Sequence, residues 1–215
     1  MASSMIHYII SNQVILQYPV QNKSRFLLGA ALGPDASSHD DGTYNAAHFS
    51  NTKGGKKGID WRLFEKKYGG KMFSDEFYLG YWCHLVQDSV WFHNIMDKYI
   101  RIYTGEVKKE YLQKGYRDYG RLNYLLQQEY KPPIPEFTPD IPTMEEISRD
   151  RLILLSKDFH NHFNALPCER ESLELYKWNV IVDFIEYSAS LCISEIRALQ
   201  QGKKRVEPET LFVKK

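Results

Sequence analysis

A histidine and an aspartate lie four residues apart in the segment GYWCHLVQD, at His84 and Asp88. Four residues correspond to about 400° of helical rotation, so the two side chains leave a helix in nearly the same direction, one turn apart. An imidazole nitrogen and a carboxylate oxygen at that spacing can share a divalent metal ion. The same pair also occurs as an ordinary helical hydrogen bond, so the spacing alone leaves both interpretations open.

The residues around this pair are apolar on nearly every side of the predicted helix. They are Phe77, Leu79, Tyr81, Trp82, Leu85, Val86, Val90, Trp91 and Phe92. A helix that is apolar all round is buried, and a buried carboxylate needs a partner because an isolated charge is costly to remove from water. A metal ion is one such partner, so the context favours a metal site.

Further candidate ligands lie in a long polar segment, residues 33–58. Asp35 follows a Gly-Pro pair that must end the preceding helix, and His48 lies in the second half of the segment. The segment is rich in Gly, Ser, Asn and Asp, which predicts a loop, and a long loop in a compact domain commonly carries function. Three polar residues between the two candidates are interpreted as solvated residues or as additional ligands: His39, Asp40 and Asp41.

The remaining histidines differ in how well their positions suit a metal ligand. His7 interrupts an apolar helical run, where a single histidine is often a hydrogen-bonded core residue, and it becomes a candidate because other ligand types are present. His93 follows His84 by nine residues, about 900° of rotation, and is expected to point to the opposite side unless the helix bends. His160 and His162 are two residues apart and cannot face one point, so we interpret them as surface residues.

Four more polar residues lie in apolar or aromatic helical surroundings. Asp118 and Asn123 interrupt an aromatic stretch, and Asp183 and Glu186 lie in a strongly apolar final helix. Buried carboxylates could serve as further ligands or general bases, or they could pair with arginine or tyrosine. The sequence leaves these two interpretations open.

Apolar periodicity close to 3.6 residues runs through most of the chain and predicts helices. Their expected ranges are 3–18, 22–32, 59–68, 74–103, 107–130, 143–165 and 169–200. Prolines make residues 131–143 an extended connector, and the charged tail 201–215 is expected to fray. Because sustained period-2 alternation is missing, we expect no sheet. The sequence thus predicts an all-α, multi-helix bundle with a long metal-ligand loop, forming one domain over residues 1–200.

Composition narrows the class of partner and the compartment. The chain has 28 Lys and Arg against 27 Asp and Glu among 215 residues, which gives no electrostatic argument for a nucleic-acid partner. Its cysteines, Cys83, Cys168 and Cys192, are sparse and form no CxxC pair, as is typical of reduced thiols. The first residues lack the basic region of a signal peptide, and no stretch reaches the roughly 18 apolar residues of a membrane span. These features predict a cytoplasmic protein without a membrane span; the oligomeric state is left open.

The order of the candidate ligands resembles that of a known family. His7 comes first, then Asp35 in GPDA, His48 in HFSN, and His84 and Asp88 in GYWCHLVQD. This order is similar to that of the zinc-dependent phospholipase C family, which shares its fold with single-strand-specific fungal nucleases. The resemblance covers roughly the first 95 residues and is nearest to a short intracellular bacterial branch, through the phrases RFLLGA and FYLGY.

The resemblance implies an all-α bundle with a metal cluster in a cleft. Asp35, His48, His84 and Asp88 match the residues that bind one zinc ion, and His7 matches a ligand of a neighbouring zinc that Asp88 bridges. Secreted members also use the amino group of an N-terminal Trp, whereas this sequence begins MASSM. A third zinc in the family takes His, His and Glu, and no His-x-x-x-Glu pattern follows residue 93. We therefore expect one or two ions, Zn²⁺ or another divalent transition metal.

The expected chemistry is metal-dependent hydrolysis of a phosphate ester by a metal-bound hydroxide, with Asp35 as ligand and base. The substrate would be small and phosphorylated, either a phospholipid or another phosphodiester or phosphomonoester. One alternative is a nucleotide phosphohydrolase of the His-Asp type, although the adjacent pair His39-Asp40 lies in a loop, not on a helix. The other alternative is a metal-stabilised binding protein without turnover, which the missing ligands of the third zinc favour.

Overall fold

The computed structural model describes residues 1–138 and 140–214, and most of these residues are helical. The helices are α1 (Ser4–Gln17), α2 (Lys23–Leu32), α3 (Tyr44–Ala47), α4 (Trp61–Met72), α5 (Glu76–Trp91), α6 (Asp97–Tyr99), α7 (Gly105–Tyr130), α8 (Arg149–Asp158) and α9 (Trp178–Gln200). Short 3₁₀ segments are Phe159–Asn164, Arg170–Ser172 and Pro208–Leu211. The predicted all-α class is confirmed. The assignment of residues 1–200 as one domain stays a prediction.

Helix α5 forms the centre of the bundle. Every residue from Phe77 to Trp91 is buried, as the all-round apolar sequence predicts. The helix packs mainly against α2 and also contacts α1, α4 and α9. Since His84 and Asp88 belong to this buried stretch, both side chains are enclosed by protein.

Helices α2 and α5 approach each other closely because each has a glycine at the crossing. A Cβ atom on Gly29 would overlap the carbonyl oxygen of Phe77, and one on Gly80 would overlap the carbonyl oxygen of Phe26. Side chains at these two positions would therefore force the backbones apart. The close approach puts the C-terminal half of α2 directly beside the face of α5 that carries His84 and Asp88.

The predicted single helix 74–103 ends earlier in the structure. It begins at Glu76, after the side chain of Asp75 caps the N-terminus, and it changes into a π-helical turn at Phe92–Met96. The amide N–H of Phe92 is shared between the carbonyl oxygens of Asp88 and Ser89. This turn and the short helix α6 are followed by a turn at residues 100–102, after which α7 begins.

The expectation of no sheet is wrong at one place. Strand β1 (Ser50–Lys53) pairs antiparallel with β2 (Lys56–Ile59), and β2 pairs antiparallel with β3 (Val213–Lys214). Gly54 and Gly55 join the first two strands with φ angles of 58° and 73°, a conformation typical of tight hairpins and favourable for glycine. Strands of two to four residues are too short to produce a detectable period-2 pattern.

The expectation that residues 201–215 fray is wrong for residues 201–214. Phe212 and Val213 are buried against the body of the protein, and Arg205 pairs with the carboxylates of Glu65 and Glu195. Apolar side chains at 211–213 thus attach a segment whose overall composition is charged. Within the described residues, no helix combines the length and apolarity needed to cross a membrane.

Candidate metal centre

The five predicted ligand residues meet at one place inside the bundle, although they come from four separate parts of the chain. His7 lies on α1, Asp35 in the turn after α2, His48 directly after α3, and His84 and Asp88 on α5. Tertiary packing of α1, α2 and α5 therefore assembles the group, and the loop 33–58 contributes both of its predicted members.

Four of the candidate ligand atoms form a compact set, one each from Asp35, His48, His84 and Asp88. Asp35 Oδ1 lies 3.5 Å from His48 Nε2 and 3.7 Å from His84 Nε2. Asp88 Oδ2 lies 3.5 Å from His48 Nε2 and 3.7 Å from His84 Nε2. Ligand atoms around a tetrahedral zinc ion, at the usual bond lengths, are about 3.3–3.6 Å apart. The observed separations are slightly longer than these, so the four side chains would need to move only a little closer together to bind such an ion.

His7 extends this set on one side. Its Nε2 atom lies 3.3 Å from Asp88 Oδ1, and its ring stacks on His84 with the centroids 3.8 Å apart. The backbone N–H of Ala2 also donates to Asp88 Oδ1 at 3.1 Å. His7, His84 and Asp88 thus form a second group in which ligand atoms lie within 4.8 Å of one another, beside the group of Asp35, His48 and His84.

The atoms that face the centre of the cluster are buried and without hydrogen-bond partners among the described residues. They are His7 Nε2, Asp35 Oδ1, His48 Nε2, His84 Nε2 and Asp88 Oδ2. Buried polar atoms in proteins are almost always hydrogen-bonded, because leaving them unsatisfied destabilises the fold. Imidazole nitrogens and carboxylate oxygens are also the donors that zinc binds. The residues present therefore fit a divalent metal ion.

The outer nitrogen of each imidazole is held by an acceptor. His7 Nδ1 lies 2.8 Å from Gln87 Oε1, His48 Nδ1 lies 3.1 Å from the Tyr44 carbonyl oxygen, and His84 Nδ1 lies 2.9 Å from the Ala30 carbonyl oxygen. All three acceptors are carbonyl oxygens, one from a side-chain amide and two from the backbone, and such an oxygen can only accept a hydrogen bond.

Each Nδ1 atom therefore carries the proton of its neutral ring, and each Nε2 atom directs a lone pair into the cluster. Neither Gln87 nor Tyr44 is predicted from the sequence as part of the site. The signal that could have found Gln87 is its position one residue before Asp88, on a helix in which a buried polar side chain needs a partner.

We predict that Gln87→Leu weakens zinc binding by about 10- to 100-fold, because the substitution leaves the Nδ1–H of His7 without its acceptor and frees the ring to rotate. Gln87→Glu retains an acceptor oxygen and should keep an affinity near that of the wild type. Competition with a chromophoric chelator measures both affinities. Equal zinc affinity of Gln87→Leu and the wild-type protein would show that the hydrogen bond to His7 is unimportant.

Without a bound ion, the charged groups of the cluster shift one another's pKa values. Burial lowers the pKa of His7, but Asp88 and Asp35 outweigh burial and raise this pKa above its ordinary value. Burial raises the pKa of Asp88, but the neighbouring imidazoles of His7 and His84 hold it well below its usual range. A proton and a metal ion therefore compete for His7 Nε2, and the metal affinity is expected to fall as the pH drops.

The cluster approaches the protein surface near Asp35. The Asp35 side chain is 15% exposed, whereas the side chains of the other four ligand candidates are fully buried. The Tyr44 ring stacks on His48 with centroids 4.1 Å apart, and His39 stacks on the outer face of Tyr44 at 3.8 Å. A small molecule would therefore approach the cluster beside Asp35 and this aromatic stack.

The other residues considered in the loop and on α5 lie outside the cluster. Asp40 and Asp41 are exposed, and Asp41 accepts hydrogen bonds from Thr43 and Arg151. His93 belongs to the π-helical turn. Among the described residues, it is a member of neither group of candidate ligands. Rotation of about 140° from Asp88 explains why His93 does not join.

Asp118 has a structural role. Its buried carboxylate accepts hydrogen bonds from Arg121 and from the backbone N–H groups of Glu174, Leu175 and Tyr176. These bonds fix a bent, non-helical backbone at residues 174–176, and the predicted helix 169–200 accordingly begins only at Trp178.

The remaining polar candidates are a half-buried histidine that links two helices and two exposed carboxylates. His162, predicted to be a surface residue, is half-buried and connects Ser4 Oγ, 2.9 Å from its Nε2, with the Asn123 amide, 3.0 Å from its Nδ1. Burial lowers the pKa of His162 below its ordinary value. Asp183 and Glu186 lie on α9 and are exposed, so neither is a buried ligand.

Comparison with known proteins gives one match. A family model described as zinc dependent phospholipase C matches residues 6–130, more than half of the chain. The matched range includes all five residues of the cluster. No curated protein and no solved structure matches the chain.

Proposed function

Because the chain belongs to the zinc-dependent phospholipase C family, we propose that it is a metal-dependent hydrolase of phosphate esters. The observation that carries the proposal is the set of five buried ligand atoms that face one another without hydrogen-bond partners among the residues described. A structural hydrogen-bond network would satisfy these atoms, whereas a metal site leaves them available.

We assign Asp35, His48, His84 and Asp88 as the ligands of one zinc ion. His7 would join Asp88 at a second ion, because His7 Nε2 lies 3.3 Å from Asp88 Oδ1 while Oδ2 of the same carboxylate faces the other ligands. The two oxygens of Asp88 thus point to different histidines, as a bridging carboxylate requires. Another divalent transition metal could replace zinc at these donors.

When bound, zinc lowers the pKa of a water molecule toward neutrality and polarises a phosphoryl oxygen. Asp35 is proposed as the base, because its carboxylate has access to solvent and also faces the histidines of the cluster. The stacked rings of Tyr44 and His39 would exclude water from one side of the bound phosphate ester. The proposed substrates are small phosphodiesters or phosphomonoesters, including the headgroup region of a phospholipid.

A metal-stabilised binding protein without turnover is the second candidate. The near-complete burial of the cluster favours it, since four of the five ligand candidates have no side-chain exposure. A nucleotide phosphohydrolase of the His-Asp type is less well supported, because His39 stacks on Tyr44 outside the cluster and Asp40 is exposed.

The test is turnover of 4-nitrophenyl phosphorylcholine, bis(4-nitrophenyl) phosphate and 4-nitrophenyl phosphate by zinc-loaded protein. We expect hydrolysis of at least one of them, loss of activity after chelation, and recovery on adding zinc. Asp35→Asn should lower kcat by about 100-fold or more, the usual contribution of a general base. Zinc content measured on the same samples separates loss of the base from loss of metal. Zinc-loaded protein that is inert toward all three esters would support the binding protein instead.

We also propose a cytoplasmic location. Cys83, Cys168 and Cys192 are free thiols in the structure, and free thiols are typical of reducing compartments. Cell fractionation followed by detection of the native protein tests this proposal. Recovery of the protein in an extracellular or periplasmic fraction would contradict it.

A further inference from the structure

A serine, a histidine and an asparagine from three separate parts of the chain form a hydrogen-bonded row. Ser4 is the first residue of α1, His162 lies in the 3₁₀ segment Phe159–Asn164, and Asn123 lies on α7. Ser4 Oγ lies 2.9 Å from His162 Nε2, and the Asn123 side-chain amide lies 3.0 Å from His162 Nδ1. Neither group of candidate metal ligands found in the described residues contains any of the three.

The imidazole in the middle of this row is held from two sides. Gln127 Nε2 donates to the carbonyl oxygens of Asn123 and His162, at 2.8 and 2.9 Å, and so ties the 3₁₀ segment to α7. The His162 ring also packs edge-on against Phe159, with the centroids 5.1 Å apart. The ring is therefore fixed between the Asn123 amide and the Ser4 hydroxyl.

The orientation of the Asn123 amide decides which atom of the row carries a proton. With the amide nitrogen toward His162 Nδ1, the buried Asn123 Oδ1 has no hydrogen-bond partner among the described residues, and such atoms are rare in folded proteins. A half-turn of the amide lets Oδ1 accept from the Nδ1–H of the imidazole. Nε2 then carries a lone pair and accepts from the Ser4 hydroxyl.

Three further features suit a reaction at Ser4 Oγ. Burial lowers the pKa of His162, so its imidazole is neutral and able to accept a proton near neutral pH. In the first turn of α1, the amide N–H groups of Ser4 and Met5 have no partner within the helix, and this positive end stabilises negative charge on a nearby oxygen. Ser4 and His162 are both partly exposed, so a small reactant can reach them from solvent.

We propose that Ser4 is a nucleophile toward carboxylic esters, with His162 as its general base and Asn123 as the residue that positions the imidazole. Ser4 Oγ bonds to the acyl carbon, its proton passes to His162 Nε2, and that proton leaves with the alcohol when the ester C–O bond breaks. Water then attacks the acyl group and gives a proton to Nε2, which returns it to Ser4 as the acid is released. This activity is independent of the proposed metal-dependent function.

The test is covalent labelling by diisopropyl fluorophosphate, with the label located by peptide mass spectrometry. A P–O bond forms at Ser4 Oγ, the P–F bond breaks and fluoride leaves, and His162 takes the hydroxyl proton. We expect a label on Ser4 with zinc and after chelation alike. Ser4→Ala should abolish it, whereas Ser190→Ala, which removes an exposed serine of α9, should leave the labelling rate unchanged. Absence of a label on Ser4 of the wild-type protein overturns the inference.

Variants of the two partners test their separate roles. His162→Gln should lower the labelling rate by about 100-fold or more, the contribution of a general base, and an unchanged rate overturns the inference. Asn123→Leu should lower the rate by about 10-fold, the effect of one lost hydrogen bond.

Asn123→Asp keeps an oxygen acceptor and should restore the labelling rate that Asn123→Leu loses. Its carboxylate should also raise the pKa of His162 and move the midpoint of the pH profile upward. Equal losses in Asn123→Asp and Asn123→Leu, with no change in the profile, reject the positioning role. Circular dichroism establishes that each variant is folded. If Ser4→Ala is not, His162→Gln decides the question by the same labelling.

A burst assay keeps this result separate from the proposed function. With 4-nitrophenyl acetate in excess, acylation of Ser4 should release one 4-nitrophenolate per protein molecule before steady turnover, because the acyl-serine accumulates. A burst that persists after chelation, in protein that is inert toward phosphate esters, supports the serine site and rejects the metal-dependent hydrolase. Zinc-dependent hydrolysis of phosphate esters without a burst or a label on Ser4 leaves that hydrolase intact and rejects the serine site.

Discussion

Asp88→Asn is expected to lower zinc affinity by more than about 100-fold, since even the loss of an outer hydrogen-bond partner costs 10- to 100-fold. Asp88 is fully buried, and its two oxygens lie near His7 on one side and near His48 and His84 on the other. Asparagine keeps the shape of the side chain but has no negative charge and presents an amide nitrogen in place of one ligand oxygen. The substitution thus alters the carboxylate that faces both His7 and the pair of His48 and His84.

The same change should reduce the stabilisation that zinc confers. With zinc at about 1000 times the wild-type Kd, binding adds about 4 kcal/mol to the free energy of unfolding, and a 100-fold weaker site adds about 1.4 kcal/mol. The difference corresponds to a melting-temperature rise that is about 5–10 °C smaller in the variant. Differential scanning calorimetry with zinc and with EDTA measures this rise for each protein.

Asp118→Asn is the matched control for a buried carboxylate. Asp118 accepts hydrogen bonds from Arg121 and from the backbone of residues 174–176, so its replacement should lower the melting temperature with and without zinc alike. The zinc-induced rise should stay at the wild-type value. If Asp88→Asn retains the full rise, Asp88 is not a metal ligand and the proposed site must be abandoned.

Gly80→Ala should destabilise the fold by about 3 kcal/mol or more, at or above the upper end of the usual range for overpacking. The new methyl group would overlap the Phe26 carbonyl oxygen and approach the Ala30 amide nitrogen to 2.9 Å. Both are backbone atoms of α2, so the helix itself must move. The expected fall in melting temperature is about 6–12 °C.

The site should loosen together with the fold, because His84 depends on α2 for its orientation. The Ala30 carbonyl oxygen lies 2.9 Å from His84 Nδ1, and separation of the helices would lengthen this hydrogen bond. A chelator competition assay should therefore find weaker zinc binding in Gly80→Ala.

Gly120→Ala is the control for helix propensity. Gly120 lies inside α7, and a Cβ atom there would meet nothing within 4 Å among the described residues. Alanine at such a position should stabilise the helix by about 0.5–1 kcal/mol. Thermal unfolding of the two variants should thus shift in opposite directions. A melting temperature of Gly80→Ala at or above that of the wild type would show that α2 and α5 are not in backbone contact.

The sequence alone predicted the helical class and the five candidate ligands that lie together in the structure. Helical periodicity and the position of His84 relative to Asp88 are local properties, and local geometry decides which side chains share a face. Asp35, His48 and His7 could be chosen because few other residues offer ligand chemistry in such apolar or loop surroundings, and because the resemblance to a family selected the same residues.

Only the tertiary structure decided how the cluster is supported and how the chain ends pack. The acceptor for His7 is Gln87, and the half-buried link through His162 joins α1 to α7. Each depends on contacts between residues far apart in sequence, which periodicity does not report. Two features of the tail were not predicted for the same reason, namely the packing of its apolar residues 211–213 and the pairing of β3 with β2. A short segment is held by the surface that it contacts, and that surface exists only once the bundle has formed.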